Sequence, residues 1–254
     1  MPMKLHIAPA AAEAIARLEQ AGYSAYIVGG CVRDSLMGQT PSDWDVTTDA
    51  TPEQVRAALD GVRIIETGIK HGTVTALFAG GAVEITTFRV DGAYDDHRHP
   101  SSVSFTDRLE NDLARRDFTM NAVAYNERTG LVDPFGGSED IRTGVIRAVG
   151  KPAARFDEDA LRILRALRFS AVLGFAIEDE TATAVHEKRL LLNNISSERV
   201  RNEFSKLICG KNAEEVLLDY SDVIVVFLPE IEPSIGFDQK NYHHIYDVWE
   251  HTVR

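Results

Sequence analysis

The feature that most constrains this chain is a glycine turn followed by a pair of carboxylates. Tyr26-Ile27-Val28 is a short β-prone run that ends in Gly29-Gly30, and Arg33 follows soon afterwards. Glycine lets backbone N–H groups approach an anion closely and adopt positive φ, and arginine offers a forked donor suited to phosphate. A lone glycine pair is also typical of an ordinary strand-to-helix turn. The full order of strand, glycine pair, arginine and carboxylates is more specific, and it indicates nucleotide chemistry.

The carboxylates are Asp43 and Asp45, on either side of Trp44. In a strand, residues two apart point to the same face. The pattern therefore predicts that the two aspartates project together while Trp44 points into the core. Two adjacent carboxylates repel each other unless a cation lies between them, and oxygen ligands beside a phosphate-binding turn favour Mg²⁺ over zinc. Alone, the pattern also fits the end of a surface strand with two solvated acids.

The charge of the chain is acidic overall and basic in one stretch. A net charge of −12 argues against a protein that coats nucleic acid nonspecifically. The arginines are nevertheless concentrated between Arg115 and Arg168. A locally basic stretch in an acidic protein suits an enzyme that grips a phosphate chain at one site.

The sequence carries no signal for a membrane or for secretion. No apolar run reaches membrane-spanning length, and the N-terminus lacks a basic region followed by an apolar stretch. Cys31 and Cys209 do not have the spacing of a metal or redox motif. We expect both to be free thiols in a reducing cytoplasm.

Helix and strand patterns predict mixed α/β structure up to about Gly150-Lys151-Pro152 and helices beyond it. After Arg116 the pattern is already helical, with an interruption at 133–137. A hairpin is predicted at Gly80-Gly81. The chain ends at Arg254 inside an apparent helix without a stop signal, which is expected of a fragment. The earlier elements are predicted as helices over 10–20, 33–37 and 52–59 and strands over 23–28, 44–47, 62–66, 72–78 and 82–90.

The segment 91–111 is polar and rich in turn residues. It is long for a connection between two elements, and such connections are often functional. We expect it to be mobile.

Glu84 is the candidate third carboxylate. Strand alternation places it on one face with Thr86 and Phe88. A carboxylate buried in an apolar strand needs a partner, and a metal or an arginine would supply one. An edge-strand acid in solvent explains the same residue equally well.

The run from Arg115 to Ala122 mixes two cations, an acid and an amide ahead of an apolar stretch that reads as a helix. Arg116 is a candidate for contacting a triphosphate, and Asp117 and Asn121 are candidates for organising the sugar. Asp117 could equally cap the helix that follows.

The run from Glu158 to Phe169 carries arginines at every third position, Arg162, Arg165 and Arg168. A solvated helix face with salt bridges accounts for that spacing. Alternatively, Asp159 and Arg162 are neighbours at i, i+3, one accepting and the other donating hydrogen bonds. Such a pair can read a base edge that offers an amine beside a ring-nitrogen acceptor, as cytosine and adenine do.

Three C-terminal histidines, His243, His244 and His251, are dispersed among aromatic residues. No acidic set supports a metal site there. The spacing is more typical of core or surface histidines.

Taken together, these motifs closely resemble those of bacterial class II tRNA nucleotidyltransferases, the CCA-adding enzymes with their A-adding, CC-adding and poly(A) polymerase relatives. The resemblance covers essentially the whole chain, and the final segment resembles the entry to an HD-like helical region. It rests on the ordered runs GGCVRD, DWD, RRDFTMNA, EDALRILRALRF and SERVRNE.

The resemblance implies an α+β fold. A nucleotidyltransferase head, a small mixed β-sheet with helices, would span 1–150. An all-α neck would follow over 151–212, and the start of a helical body over 213–254. The segment 91–111 resembles the flexible loop that is linked with switching from C to A addition.

The resemblance also implies roles for individual residues. Asp43 and Asp45 would bind catalytic Mg²⁺, with Glu84 as our candidate third carboxylate. The remaining matches concern the nucleotide: Asp159 and Arg162 would form a protein template for CTP and ATP, and the other nucleotide-binding candidates are Gly29, Gly30, Arg33, Arg116, Asp117, Asn121, Arg165 and Arg168.

The expected function is a cytoplasmic, template-independent CTP/ATP:tRNA nucleotidyltransferase with tRNA, CTP and ATP as partners. A-adding, CC-adding and poly(A)-polymerase activities stay open, as does a truncated nucleotide- or RNA-binding fragment without turnover. The sequence leaves the oligomeric state undetermined.

Overall fold

The computed structural model describes residues 4–92, 102–240, 243 and 245–254. The chain forms two compact units, and the first ends at Thr143 while the second begins at Gly144. This division lies a few residues before the boundary predicted at Gly150. No helix among the described residues is long and apolar enough to cross a membrane.

Among the described residues of the first unit there are nine strands. Seven form one mixed sheet in the order β3-β4-β5-β2-β1-β8-β9, in which β2 and β5 are parallel and the other neighbours antiparallel. β6 and β7 form a separate antiparallel ribbon. The strands are β1 (Ala25–Val28), β2 (Asp45–Thr48), β3 (Arg63–Ile65), β4 (Thr73–Phe78), β5 (Gly81–Thr87), β6 (Arg89–Asp91), β7 (Val103–Phe105), β8 (Ala124–Asn126) and β9 (Gly130–Val132).

Two helices of the first unit, α1 and α3, begin where local signals predict, whereas α2 begins at Gly30, three residues before the predicted start. The Thr51 hydroxyl and the Gln54 side chain each accept a hydrogen bond from the other residue's backbone N–H, and this capping box starts α3. Pro9 occupies the first turn of α1, where its missing N–H costs nothing. The helices are α1 (Pro9–Gln20), α2 (Gly30–Leu36), α3 (Pro52–Ala58), α4 (Leu109–Ala114) and α5 (Gly137–Thr143).

The core of the first unit lies on one face of the sheet. Ile27, Val46 and Ile85 are essentially fully buried there, together with apolar residues of α1 and α3. Because side chains alternate along a strand, Asp45 and Glu84 belong to the opposite face. The hydrophobic core thus leaves that opposite face available for polar groups.

The helix predicted between Arg116 and the interruption at 133–137 is wrong, whereas α5 follows that interruption as expected. A single 3-10 turn at Thr119–Asn121 is followed by the β8–β9 hairpin, whose turn glycine, Gly130, has φ +80°. The apolar run into β8 pairs with β1, with Tyr125 opposite Ile27. Short apolar runs do not distinguish a buried strand from a helix by periodicity, and pairing with β1 decides between them here.

The segment 91–111 is partly regular. β6 ends at the segment's first residue, Asp91, β7 covers Val103–Phe105, and α4 begins at Leu109. Residues 93–101 lie outside the described residues, so the expected mobility stays a prediction.

The second unit is helical with one small parallel ribbon, confirming most of the helical prediction. The ribbon pairs β10 (Val145–Ile146) with β11 (Ala176–Ile177), which is why residues just before Gly150 belong to this unit. Helix α7 is its centre, with Ile163, Leu164 and Leu167 fully buried. The helices are α6 (Pro152–Glu158), α7 (Leu161–Leu173), α8 (Asp179–Lys188), α9 (Ser197–Ile208), α10 (Ala213–Asp219), α11 (Ser221–Phe227) and α12 (Val248–Val253), with 3-10 turns at Arg189–Asn194 and Pro229–Ser234.

Candidate active site

Two candidate carboxylates meet where β2 and β5 pair. Asp45 opens β2, and Glu84 is its register partner in β5. Asp43 precedes the strand instead of belonging to it, and its carboxylate accepts a hydrogen bond from the Ser42 hydroxyl at 3.0 Å. Trp44 packs against the core as predicted. The parallel pairing of two strands that are distant in sequence therefore brings Glu84 next to Asp45.

The electrostatics around Asp45 fit a cation. Burial raises the pKa of Asp45, the Arg116 charge opposes that shift, and the charges of Glu84 and Asp43 raise the pKa further. Carboxylates crowded in this way are relieved by a hard divalent ion, which prefers oxygen ligands. Among the described residues no three His, Cys, Asp or Glu side chains form a ready-made metal cluster. The metal-binding role of Asp43 and Asp45 stays a prediction.

Gly29 is required by its surroundings. Its backbone has φ +78° and ψ −130°, which is accessible to glycine and strained for other residues. A Cβ atom on Gly29 would lie 3.0 Å from Nη1 of Arg116. Gly30 differs, because it lies inside α2 and its Cβ would meet only ordinary contact with Arg33 at 3.7 Å. Arg116 thus lies directly against the glycine turn.

A chain of hydrogen bonds joins α2, the helix that follows the glycine turn, to the segment after Arg116. Arg33 donates to Oδ1 of Asp34 through Nε and Nη2, at 2.9 and 2.7 Å, and to Oδ1 of Asn121 through Nη1 at 2.8 Å. Asn121 in turn donates to Oδ1 of Asp117 at 3.1 Å. Oδ1 of Asp117 also accepts the backbone N–H of Phe118, the residue just before the 3-10 turn, so one carboxylate oxygen holds both groups. The structure brings together these residues from two separate motifs.

Asp112 is a site residue that the sequence reasoning missed. It is fully buried on α4, and its carboxylate accepts hydrogen bonds from Arg115, Arg116 and Thr47. Burial by itself raises the pKa of Asp112, but the charges of Arg116 and Arg115 and the hydrogen bonds they donate hold it below its ordinary value. One signal was present in the sequence: an acid four residues before Arg116 on a helix is at ion-pairing distance.

A cavity of about 200 Å³ opens over this face of the sheet. Carboxylates and guanidinium groups line it together. A cavity of that composition can hold a cation at one end and an anion at the other. The charged lining residues are Asp45, Glu84, Arg89, Arg115 and Arg116.

In the second unit the predicted pair of Asp159 and Arg162 is not joined by a hydrogen bond between its side chains. Asp159 has extended backbone, with φ −137°, and interrupts the expected single helix between α6 and α7. Its carboxylate accepts hydrogen bonds from Arg199, at 3.1 Å to Oδ2, whereas Nη1 of Arg162 donates to Glu158 at 2.7 Å. The expectation that both residues lie on one helix is wrong, and their role in reading a base stays a prediction.

Arg165 and Arg168 lie on α7 beside Phe169. Their guanidinium carbons are 5.4 and 4.0 Å from the centre of the Phe169 ring, within cation–π distance. Nε of Arg168 is also 2.8 Å from Oε2 of Glu203 on α9. These two arginines therefore help pack α7, whatever else they bind.

The basic stretch predicted to grip phosphate at one site is largely paired. Its arginines belong to both units, and nearby carboxylates offset much of their charge. The pairs are Arg115 and Arg116 with Asp112, Arg142 with Glu139, Arg147 with Glu178, Arg155 and Arg162 with Glu158, and Arg168 with Glu203.

The remaining predicted features are the two cysteines and the C-terminal histidines. Cys31 is buried beside Asp45, its thiol 3.8 Å from the Asp45 carbonyl oxygen, and burial raises the pKa of the thiol to about 11. Cys209 is exposed, and both cysteines are free. His243 and His251 are exposed, while His244 lies outside the described residues.

Two protein families match the chain. The Poly A polymerase head domain matches residues 25–147. The family described as "Probable RNA and SrmB- binding site of polymerase A" matches residues 174–235. The first match contains the carboxylates, the glycine turn and Arg116.

Among curated proteins, a CCA-adding enzyme of Geobacillus kaustophilus is 46% identical over 222 residues, which is 87% of this chain and 54% of that protein. A CCA-adding enzyme of Lactobacillus delbrueckii is 47% identical over 204 residues, 80% of this chain and 51% of that protein. The chain thus spans about half the length of the curated relatives it matches.

Solved structures of CCA-adding enzymes also match the chain. A Bacillus stearothermophilus CCA-adding enzyme in complex with CTP matches with a TM-score of 0.75 at 46% identity, over 82% of this chain and 50% of that one. A Thermotoga maritima CCA-adding enzyme complexed with tRNA matches with a TM-score of 0.72 at 26% identity, over 90% of this chain and 57% of that one.

Proposed function

Because this chain belongs to the family of Poly A polymerase head-domain nucleotidyltransferases that includes the CCA-adding enzymes, we propose that it adds CCA, or part of it, to tRNA 3′ ends from CTP and ATP. One observation carries the proposal. Asp45 and Glu84, on paired strands, share a polar cavity with Arg116, which lies against the glycine turn. Carboxylates for a cation and an arginine for phosphate are thereby gathered on one sheet face.

The carboxylates would hold the metal. The relatives belong to an enzyme class that generally uses divalent ions, and we propose Mg²⁺, held by Asp43 and Asp45 with Glu84 as the third carboxylate. Bound Mg²⁺ supplies activation of the RNA 3′-hydroxyl and neutralisation of pyrophosphate charge. Burial raises the pKa of Asp45, the charges of Glu84 and Asp43 raise it further, and a cation would relieve that carboxylate crowding.

The remaining groups of the first unit would hold the nucleotide. Arg33 and Arg116, with the backbone of Gly29 and Gly30, would bind the triphosphate. The α-phosphate would be attacked in line by the 3′-hydroxyl, and the guanidinium groups would offset the charge that develops. Asp117 and Asn121, linked to Arg33 by hydrogen bonds, would organise the sugar.

Residues of the second unit would select the base. We propose that Asp159 accepts from the exocyclic amine of CTP or ATP and that Arg162 donates to the adjacent ring nitrogen. Arg199 donates a hydrogen bond to the Asp159 carboxylate, and Arg162 donates one to Glu158. Base reading therefore requires the incoming nucleotide to replace or share those contacts. Arg165 and Arg168 would support the same helix.

The domain roles follow the same reasoning. Residues 1–150 would be the catalytic head, 151–212 the base-selecting neck and 213–254 the beginning of a helical body. We propose that the protein acts in the cytoplasm, where tRNA is matured.

The test is nucleotide addition to a tRNA that lacks its 3′ CCA, with Mg²⁺ and CTP alone, ATP alone, or both. Addition of C, C and then A establishes CCA addition. Extension by ATP only on a tRNA ending in CC means an A-adding enzyme, addition of C alone means a CC-adding enzyme, and long tails made from ATP mean a poly(A) polymerase. Nucleotide binding without any incorporation would refute catalysis by this chain and leave a binding module.

A further inference from the structure

Asp112 occupies an unusual position for a carboxylate, because it is 0% exposed in the interior of the first unit. An ionised group is buried in proteins only when its hydrogen bonds are satisfied. Oδ1 of Asp112 accepts from Nε and Nη2 of Arg115 at 2.9 and 2.7 Å. Oδ2 accepts from Nη2 of Arg116 at 3.2 Å, and it shares the single proton of the Thr47 hydroxyl, also at 3.2 Å, with the Thr86 carbonyl oxygen.

These contacts link three parts of the site. Thr47 lies on β2 two residues after Asp45, so both side chains belong to the same sheet face. Arg115 and Arg116 follow α4 directly. The Asp112 carboxylate thus connects the strand that carries Asp45 to Arg115 and Arg116, two of the three arginines that line the cavity.

The orientation of the Arg116 guanidinium depends on this connection. Its Nη2 is held by Asp112, and its Nη1 lies so close to Gly29 that a Cβ there would be only 3.0 Å from it. Its Nε is buried and has no hydrogen-bond partner among the described residues. Asp112 on one side and Gly29 on the other therefore determine which way the fork of Arg116 points.

We infer that Asp112 is a positioning residue, which aligns Arg116 with the glycine turn and the Asp45 strand for binding the triphosphate of the incoming nucleotide. The inference rests on the proposed function. A forked donor is useful for phosphate only in a defined orientation. Asp112 itself does not need to touch the nucleotide, and it acts through Arg116.

The inference makes a specific claim about which part of the nucleotide is affected. Loss of Asp112 should weaken contacts to the β- and γ-phosphates and leave contacts to the base and sugar in place. CTP affinity should therefore fall more than CMP affinity. A residue that only stabilises the fold would change both affinities by the same factor.

The test is isothermal titration of Asp112→Asn with CTP and with CMP, beside wild type. We expect the dissociation constant for CTP to rise about tenfold, as for loss of a charge-assisted hydrogen bond, and that for CMP to change less than about twofold. Glu110→Gln is the matched control, since Glu110 is exposed on the same helix. Equal effects on CTP and CMP, or no effect on either, would overturn the inference.

A second variant covers the case in which Asp112→Asn does not fold. Thr47→Val removes the hydroxyl that ties Asp112 to β2 and leaves every charge in place. We expect it to weaken CTP two- to threefold without changing CMP, and unchanged CTP affinity would contradict the linkage. In a double-mutant cycle, Arg116→Lys should cost less CTP affinity when Asp112 is already Asn. Additive effects would mean that Asp112 does not act through Arg116.

Failure of the proposed function gives a different pattern. If wild type binds CTP more tightly than CMP but incorporates no nucleotide, catalysis fails while the Asp112 inference is decided by the same titrations. If wild type incorporates nucleotide and Asp112→Asn retains its CTP affinity, only the inference fails. If wild type binds neither CTP nor CMP, both fail.

Discussion

Gly29→Ala and Gly30→Ala are neighbouring substitutions that should change stability in opposite directions. Gly29 has φ +78° and ψ −130°, whereas Gly30 is the first residue of α2. A side chain forced into a glycine-only conformation costs about 1–3 kcal/mol. Replacing glycine by alanine where the backbone is already helical gains about 0.4–1 kcal/mol, because alanine has fewer unfolded conformations to lose. We therefore expect the two variants to differ in unfolding free energy by at least about 1.4 kcal/mol, with Gly29→Ala the less stable.

The steric contribution at Gly29 should appear in binding more than in stability. The new Cβ would lie 3.0 Å from Nη1 of Arg116, at the far end of a flexible side chain. The guanidinium can move by a few tenths of an ångström at little cost to the fold. That movement shifts the phosphate donor, so we also expect weaker CTP binding by Gly29→Ala.

The assay is urea unfolding followed by the fluorescence of Trp44, which packs against the core of the first unit. The second tryptophan, Trp249, lies in the other unit. It would be changed to Phe in the wild-type background and in both glycine variants, so that Trp44 alone gives the signal. The signal then reports the unit that contains the glycine turn, which avoids treating two units as one transition. Equal stability of Gly29→Ala and Gly30→Ala would refute the reasoning.

Three further predictions concern the acidic residues. Asp43→Ala and Asp45→Asn should each reduce nucleotide incorporation below detection while the circular-dichroism spectrum is unchanged. Asp49→Asn, beyond the other end of β2, is the control and should retain activity. Incorporation by either site variant would refute the metal assignment. Asp159→Ala should relax discrimination against UTP and GTP more than it slows CTP incorporation. The control is Asp157→Ala, which removes the ion pair to Lys188. Unchanged base choice by Asp159→Ala would contradict the template role. Because the pKa of Asp45 is raised in the folded protein, protonated Asp45 favours folding and ionised Asp45 opposes it. Its contribution to stability is complete below about pH 4 and is lost as pH rises through the raised pKa. Asp45→Asn should therefore be more stable than wild type at pH 7 in EDTA and no more stable at pH 3.5, and equal urea midpoints at pH 7 would contradict this.

Local signals predicted much of the first unit. The helix at α3 begins at the Thr51 cap, and the Gly80-Gly81 turn joins β4 to β5. The family match covers the glycine turn and the carboxylates. These features are local, because a cap, a hairpin or a glycine turn depends on residues only a few positions apart.

The helix predictions that were wrong concern residues whose conformation depends on contacts with distant parts of the chain. The run before Tyr125 reads as a helix until pairing with β1 makes it a strand. Asp159 reads as part of a helix with Arg162, but its extended backbone places its carboxylate on Arg199, which belongs to α9. Periodicity carries no information about partners that lie far along the chain.

The sequence by itself determined the chemistry that this protein can offer: a glycine that tolerates positive φ, carboxylates for a hard cation and arginines for phosphate. Only the tertiary structure decided how they combine. Parallel pairing of β2 with β5 brought Glu84 beside Asp45, and burial of Asp112 tied Arg116 to the same sheet face. The physical reason is that a residue type is fixed by its covalent structure, whereas charge spacing, burial and orientation arise from contacts between segments that only folding brings together.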